Sequence, residues 1–326
     1  MDVLHLYSGN LFGGVERLLL TLATSAPNHR LALCFEGRLG GELLAAGRAP
    51  QMLGEVRFRR PLSVLRARRA LRGFLRGRRP EGVVCHSSWA HALFADIVRG
   101  EGLPLGFFLH DLSSGRHWLD RAAARTVPDV VFANSPATAE AATRLFPSRA
   151  AEVVTPPLAT RVMGMDRDAS RQAEGAGPSD LVVLLFSRPV PLKGHVLLLE
   201  ALAQLPNGLP WKAWLAGGAR SEAETAYLGT LRARAEALGV AERVRFLGER
   251  ADVPALLAAA DVHCQPNTGP EAFGLAFCEA MQAELPVVTT EAASRSGVVD
   301  ASCALLTAAE PRALREQEPA KENAGA

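Results

Sequence analysis

RVRFLGERADVPALLAAADVHCQPNTGPEAFGLAFCEAMQAELPVV, Arg243 to Val288, decides the fold. It contains RVRFLG (243–248), DVHCQP (261–266) and the start of PVVTT (286–290), three short apolar runs separated by longer helix-like patterns. Strand-length runs alternating with helical patterns read as parallel sheets with crossover helices. The alternation continues upstream through WKAWLAGG (211–218) and LVVLLFS (181–187). A second set comprises VLHLY (3–7), LALCF (31–35), VVCHS (83–87), LGFFLH (105–110), DVVFANS (129–135) and EVVTPP (152–157). Between the sets, MGMDRDASRQAEGAGPSD (163–180) is small, polar and without apolar periodicity, as a linker or surface loop would be. The expected architecture is α/β: two Rossmann-like domains, 1–165 and 166–307, with parallel sheets facing across a cleft. Residues 308–326 carry few large apolar side chains and several charges, and read as a disordered tail.

At 326 residues, 48% of them hydrophobic, the chain is long enough for two cores. It opens without a basic segment, an apolar stretch and a cleavage site, and no apolar run approaches the roughly 20 residues that span a bilayer. The expectation is therefore a cytoplasmic chain, able to sit peripherally at the inner membrane face. Five widely spaced cysteines, mostly within apolar runs, indicate neither a disulfide framework nor a zinc site.

Net charge is only +2, but Arg57 to Arg79 carries ten arginines and no acid. Leu62, Leu65, Leu71, Phe74 and Leu75 recur there at helical spacing, so an amphipathic helix with an apolar stripe and an arginine face is expected. Such a face suits an anionic membrane or an anionic acceptor; the plainer reading is a solvated outer helix. Nucleic acid is disfavoured, because no aromatic platform accompanies the arginines. Lysine, by contrast, occurs only at 193, 212 and 321.

A doubly wound sheet binds ligand beyond the carboxyl ends of its strands, so the residues following each strand matter most. After the first strand comes SGNLFGGVERLLLTLA, in which Gly9, Gly13 and Gly14 open a helix and let backbone N–H groups approach an anion. The spacing is not GxGxxG and no GKS or GKT follows, which argues against dinucleotide and P-loop fingerprints. In PEAFGLAFCEAM (270–281), Pro270 and Glu271 suit the start of a helix, the carboxylate being worth about 0.3–1 kcal/mol against the macrodipole. That does not explain Glu279. A helix running from 271 to 279 would set the two carboxylates about 12 Å apart along its axis, with the N–H groups of Phe273, Gly274 and Leu275 between them. Carboxylate, amides, carboxylate match sugar, diphosphate and ribose of a nucleotide sugar.

Arg243 to Val288, with its glutamate, seven residues, glutamate spacing, resembles the retaining glycosyltransferases of family 4, which have the GT-B fold. The resemblance extends through SRPVPLKGHVLLLEALAQL (187–205) and LAGG (215–218), and more weakly through GNLFGGVE, FFLHD and FANS. It implies that Arg188 and Lys193 bind the donor diphosphate and stabilise the leaving group without a metal or other cofactor, as fixed cations can. It further implies that Glu271 holds hydroxyls of the transferred hexose-type sugar and Glu279 those of the ribose, that Gly13 and Gly14 line the site, and that His110 faces the donor sugar. Asp111 would orient His110 or cap the next helix, while His86 and His91 would touch an acceptor or be structural. Transfer from a nucleotide-diphosphate sugar to a hydroxyl of a glycan, lipid-linked or small-molecule acceptor, with anomeric retention by front-face attack, is the implied reaction. An inactive GT-B relative and a GT-B nucleotide-sugar epimerase are the alternatives. Departures from the family pattern are Ser187 in place of its glycine, EAASRSGVVD after PVVTT in place of its glycine pair and Pro-Glu, and no counterpart of its terminal helices after Thr307.

Overall fold

The structure is a computed structural model describing residues 1–10, 13–158, 164–206 and 208–315. It divides into two units, Met1–Ala159 and Thr160–Ala326, so the division falls a few residues before the expected 165/166. In the first unit the strands are β1 Val3–Tyr7, β2 His29–Leu33, β3 Gln51–Met52, β4 Gly82–His86, β5 Leu105–Leu109, β6 Val130–Ala133 and β7 Ala151–Val153. Its helices are α1 Gly14–Ser25, α2 Arg38–Ala45, α3 Pro61–Gly77, α4 Ser88–Gly100, α5 Trp118–Ala123 and α6 Pro136–Leu145. The second unit has β8 Leu181–Phe186, β9 Trp211–Ala216, β10 Val244–Gly248, β11 Val262–Gln265, β12 Val287–Thr290 and β13 Leu305–Thr307. Its helices are α7 Arg167–Ala173, α8 His195–Leu202, α9 Glu222–Ala237, α10 Val253–Ala259, α11 Leu275–Gln282, α12 Glu291–Ser294 and α13 Pro311–Arg315.

Every strand pairing is parallel, in the orders β3-β2-β1-β4-β5-β6-β7 and β10-β9-β8-β11-β12-β13. Strands such as LVVLLF and LGFFL are apolar throughout because helices cover both faces of each sheet. The strand order reverses between β1 and β4 in one unit and between β8 and β11 in the other. At those two reversals the crossover helices leave on opposite faces and a crevice opens at the carboxyl edge.

The structure revises several expectations. β3 and β13, of two and three residues, carry too little pattern to be legible in sequence. LALCF pairs over 29–33 rather than 31–35. The presumed linker contains α7, whose inward residue is Arg171, buried and donating to the carbonyls of Ala259 and Gly177 and to Asp261. Apolar periodicity is blind to a helix anchored by a guanidinium. The presumed tail begins with α13, which packs on α8 and whose Leu314 is buried in the core of the second unit; residues 316–326 lie outside the described residues. In α3 the buried stripe is Ala67, Leu71 and Leu75, with Phe74 packed against it, whereas Leu62 and Leu65 are 67% and 59% exposed. The first turn of α3 therefore shows leucine to solvent, opposite to the expected stripe. Among the described residues, no helix is long and apolar enough to cross a membrane.

Candidate functional site

Lys193 and Glu271 come together at the β8/β11 reversal. The loop after β8 turns through Pro191–Lys193 and ends at Gly194, whose φ of +72° is left-handed and whose absent Cβ would lie 1.8 Å from the Pro266 carbonyl oxygen. Only glycine permits that approach, which brings the β8 and β11 loops into contact. The Lys193 ammonium, one position earlier, forms an ion pair with Glu271 Oε2. Asn267 Nδ2 donates to the same oxygen at 3.0 Å, and Gln265 Nε2 donates to Asn267 Oδ1 at 2.9 Å. Gln265 Oε1 is buried without a hydrogen-bond partner among the described residues. Asn267 and Gln265 were missed in the sequence, although both lie at the strand end where ligands are expected.

Glu271 does not start a helix: 271–274 are irregular, and α11 begins at Leu275, after Gly274 at φ +88°. The expected helical spacing of the two carboxylates is thus corrected. A Cβ on Gly274 would stand 2.5 Å from the Phe277 ring and 3.2 Å from Glu271 Cγ, so this glycine folds the loop back onto the helix start. Glu279 is 4% exposed within α11, and Phe273 is buried. The amides at the start of α11 are thus presented beside Gly274, at the positive end of a helix.

Arg188, also on the β8 loop, is half exposed and pairs with Glu224 Oε1 at 3.0 Å. Glu224 lies in the first turn of α9, where its other oxygen accepts the Arg220 N–H at 2.7 Å. The carboxylate holding the arginine belongs to another crossover helix and was not singled out from sequence. His195 and His263 are both pushed down to about 4, first by burial, with the Lys193 charge adding to it. Both imidazoles therefore favour the neutral form. Glu291, at the departure from the family pattern, is exposed at the start of α12.

In the first unit, Gly13 is the N-terminal flank of α1 and Gly14 its first residue. Tyr7 Oη donates to the buried Glu16 Oε1 at 2.5 Å, pinning α1 to β1. His110 follows β5, stacked on Phe108 at 4.2 Å, and its Nε2 is 2.9 Å from His86 Nδ1. His86 is therefore a partner of His110. His91 is structural, bonded to the Thr126 carbonyl and wedged between Phe107 and Phe146. Asp111 is exposed, makes no hydrogen bond to His110 and does not cap α5, where His117 accepts the Leu119 N–H. Ser87, beside His86 at the β1/β4 reversal, has φ 94° and ψ 155°, a conformation nearly restricted to glycine.

Residues 166–313 match the glycosyl transferases group 1 family, and residues 12–160 match Glycosyltransferase Family 4. The chain belongs to glycosyltransferase family 4. Among relatives of this family-4 chain, D-inositol 3-phosphate glycosyltransferase of Mycobacterium sp. (strain KMS) is 39% identical over 125 residues, 38% of this chain and 27% of that protein. A GDP-mannose-dependent phosphatidylinositol monomannoside mannosyltransferase of Mycolicibacterium smegmatis is 35% identical over 179 residues, 52% of this chain and 44% of that protein. These matches thus span less than half of the curated relatives' lengths. HepE of Anabaena, solved with UDP-glucose, superposes with a TM-score of 0.84 at 26% identity, covering 96% of this chain and 87% of that one. WaaG, a lipopolysaccharide glycosyltransferase, has a TM-score of 0.71 at 19% identity and bears on the fold alone. The fold of this family-4 chain is the two-domain Rossmann-like GT-B.

Proposed function

We propose that this chain transfers a hexose-type sugar, with anomeric retention and without a metal, from a nucleotide-diphosphate donor to a hydroxyl acceptor. The observation carrying this reading is the Lys193–Glu271–Asn267 cluster at the strand reversal, beside the α11 amides and ahead of Glu279. Donor phosphates would compete with Glu271 and Glu224 for Lys193 and Arg188, placing fixed positive charge where the leaving group becomes more negative. Glu271, released from the ammonium, would be free to accept sugar hydroxyls, with Asn267 still orienting it. Retention follows from front-face attack, in which positioning and charge stabilisation replace a nucleophilic carboxylate. HepE's complex with UDP-glucose supports a uridine diphosphate sugar as the first donor to test; the inositol and phosphatidylinositol glycosyltransferases support hydroxylated, lipid-linked acceptors.

The acceptor side would meet an anionic membrane at the first turn of α3. Leu62, Leu65, Phe58 and Trp118 are exposed there, and Phe58 packs edge-to-face on Trp118 at 5.0 Å. Arg57 pairs with Glu55, Arg68 with Asp96, and Arg72 and Arg76 with Glu101; of the arginines without an ion pair among the described residues, Arg59, Arg60, Arg66 and Arg69 lie towards the start of α3. Co-sedimentation with anionic vesicles should weaken when those four become glutamine; unchanged binding would remove the membrane from the reading.

The transferase is tested with a panel of UDP, GDP, ADP and dTDP sugars in EDTA, comparing wild type with Lys193→Ala and Glu279→Ala. A preferred donor, bound or slowly hydrolysed by wild type and lost in both variants, is expected. Folded protein that binds no donor would leave an inactive relative as the correct reading, and donor isomerisation without acceptor would make it an epimerase.

A further inference from the structure

Four histidines form one continuous hydrogen-bonded line across the first sheet. His29 Nδ1 is 2.8 Å from His5 Nε2, His5 Nδ1 is 2.9 Å from His86 Nε2, and His86 Nδ1 is 2.9 Å from His110 Nε2. The rings follow a staircase set by the parallel register. Val3 is opposite His29, and His5 is two residues beyond Val3; Val84 is opposite His5, and His86 is two beyond Val84; Phe108 is opposite His86, and His110 is two beyond Phe108. Diagonal positions of this kind lie on one face, within reach of aromatic side chains. The line therefore runs from the amino end of β2 to the carboxyl edge beyond β5, with successive ring centroids 5.1–5.2 Å apart.

The chemistry of neutral imidazole makes this line collective. His5 is 4% exposed and His86 fully buried, and both nitrogens of each ring are engaged. Burial pushes His5 and His110 down to about 3 and lowers His86 well below its ordinary value. A neutral ring has one N–H and one lone pair, so each middle ring must donate on one side and accept on the other. Two arrangements satisfy all three bonds: every ring carries its proton on Nε2, or every ring carries it on Nδ1. In the first, His110 presents a lone pair at Nδ1; in the second, an N–H. His110 Nδ1 has no partner among the described residues, so it is the end left open to a ligand.

We propose that His29, His5 and His86 are positioning residues that set the tautomer of His110, and thereby decide whether its Nδ1 accepts from or donates to a substrate hydroxyl. Interconversion takes one proton at His110 Nδ1, shifts one proton across each of the three N···N bonds, and releases one from His29 Nε2, so that no ring acquires net charge at the end. The charged groups on surrounding elements are the Arg30–Asp2 pair beside His29, Glu16 bonded to Tyr7, Asp111 after His110, and Asp129, which pairs with Arg99 and lines the cavity that His5 and His29 border. None hydrogen-bonds a ring among the described residues, and no cluster there is arranged to hold a metal. His5 and His29 border an apolar cavity of about 280 Å³, together with Met1, Leu22, Phe132 and Val154.

The role assigned to the His110 hydroxyl partner rests on the transferase reading; the collective tautomer does not. Nitrogen-15 NMR of histidine-labelled full chain tests the line directly. His5, His86 and His110 are expected to be neutral near pH 7.5 with one tautomer in common, and His29→Gln is expected to shift the His110 tautomer population three rings away. A mixture such as Nδ1–H on His5 with Nε2–H on His86, or a His110 signal indifferent to both His29→Gln and His86→Gln in folded protein, overturns the proposal. In turnover, His29→Gln should lower kcat about tenfold with donor KM unchanged, a modest loss beside the roughly 10⁴-fold that a wrong tautomer costs in a catalytic triad. Coherent tautomers without donor turnover would sink the transferase reading alone; turnover with incoherent tautomers would sink this one alone.

Discussion

The two strand reversals solve the burial of polar groups in opposite ways. At β8/β11 a cation is paired with a carboxylate, Lys193 with Glu271, with Asn267 on the shared oxygen. Across β2, β1, β4 and β5 four imidazoles are joined ring to ring, and burial keeps His5, His86 and His110 neutral. A buried ion pair holds its charge only while both partners remain, whereas a neutral chain holds as long as the solution leaves it unprotonated. The first arrangement should be sensitive to mutation and the second to acid.

Acid gives the largest expected difference. Above pH about 6.5 the folded and unfolded chains both carry these histidines neutral. Below it the unfolded chain takes up protons that the folded one refuses, so stability falls as pH drops and keeps falling until the folded values, near 3–4, are reached. Each ring contributes up to about 1.4 kcal/mol per pH unit in that window. The first unit holds His5, His86, His91 and His110 in this condition, the second His195 and His263. Hydrogen exchange between pH 7 and 4 should show the first unit opening at the higher pH; simultaneous opening would erase the contrast.

Mutation should single out the second unit. Lys193→Ala strands a buried carboxylate, with an expected cost of about 3–5 kcal/mol in urea unfolding and at least about 10²-fold in donor turnover. Lys193→Met combined with Glu271→Gln should restore most of the stability and none of the turnover, which separates the fold's use of the pair from its chemistry. Gly194→Ala should cost about 1–3 kcal/mol from backbone strain alone, and more from the Pro266 contact, with donor binding lost in parallel. The smallest effects fall elsewhere. Ser87→Gly should stabilise by about 1 kcal/mol in thermal unfolding by relieving the backbone. Arg188→Ala, at a half-exposed pair, should change stability by less than about 1 kcal/mol while still impairing turnover.

Legibility differs between the units for the same physical reason. Arg188 with Lys193, and Glu271 with Glu279, stand in two local motifs and could be named from short stretches of text, as could the strands, whose apolar runs are continuous because both sheet faces are covered. Their partners Asn267 and Glu224 escaped because neither residue type is unusual after a strand or in a helix's first turn. The α7 helix escaped because arginine rather than leucine holds it. In α3 the arginine face was legible but the depth of each leucine was not, since burial depends on what packs opposite.

The sequence by itself determined two doubly wound parallel sheets and a charged motif at the edge of the second. These are properties of spacing along the chain, which periodicity and short motifs record. Only the tertiary structure decided that His5, His29, His86 and His110 are neighbours. Their separations along the chain have no meaning until strand order places β2, β1, β4 and β5 side by side and parallel register advances each ring by two residues. Hydrogen bonds act at about 3 Å, and a chain folded through crossover helices brings within that distance residues that its linear order keeps far apart.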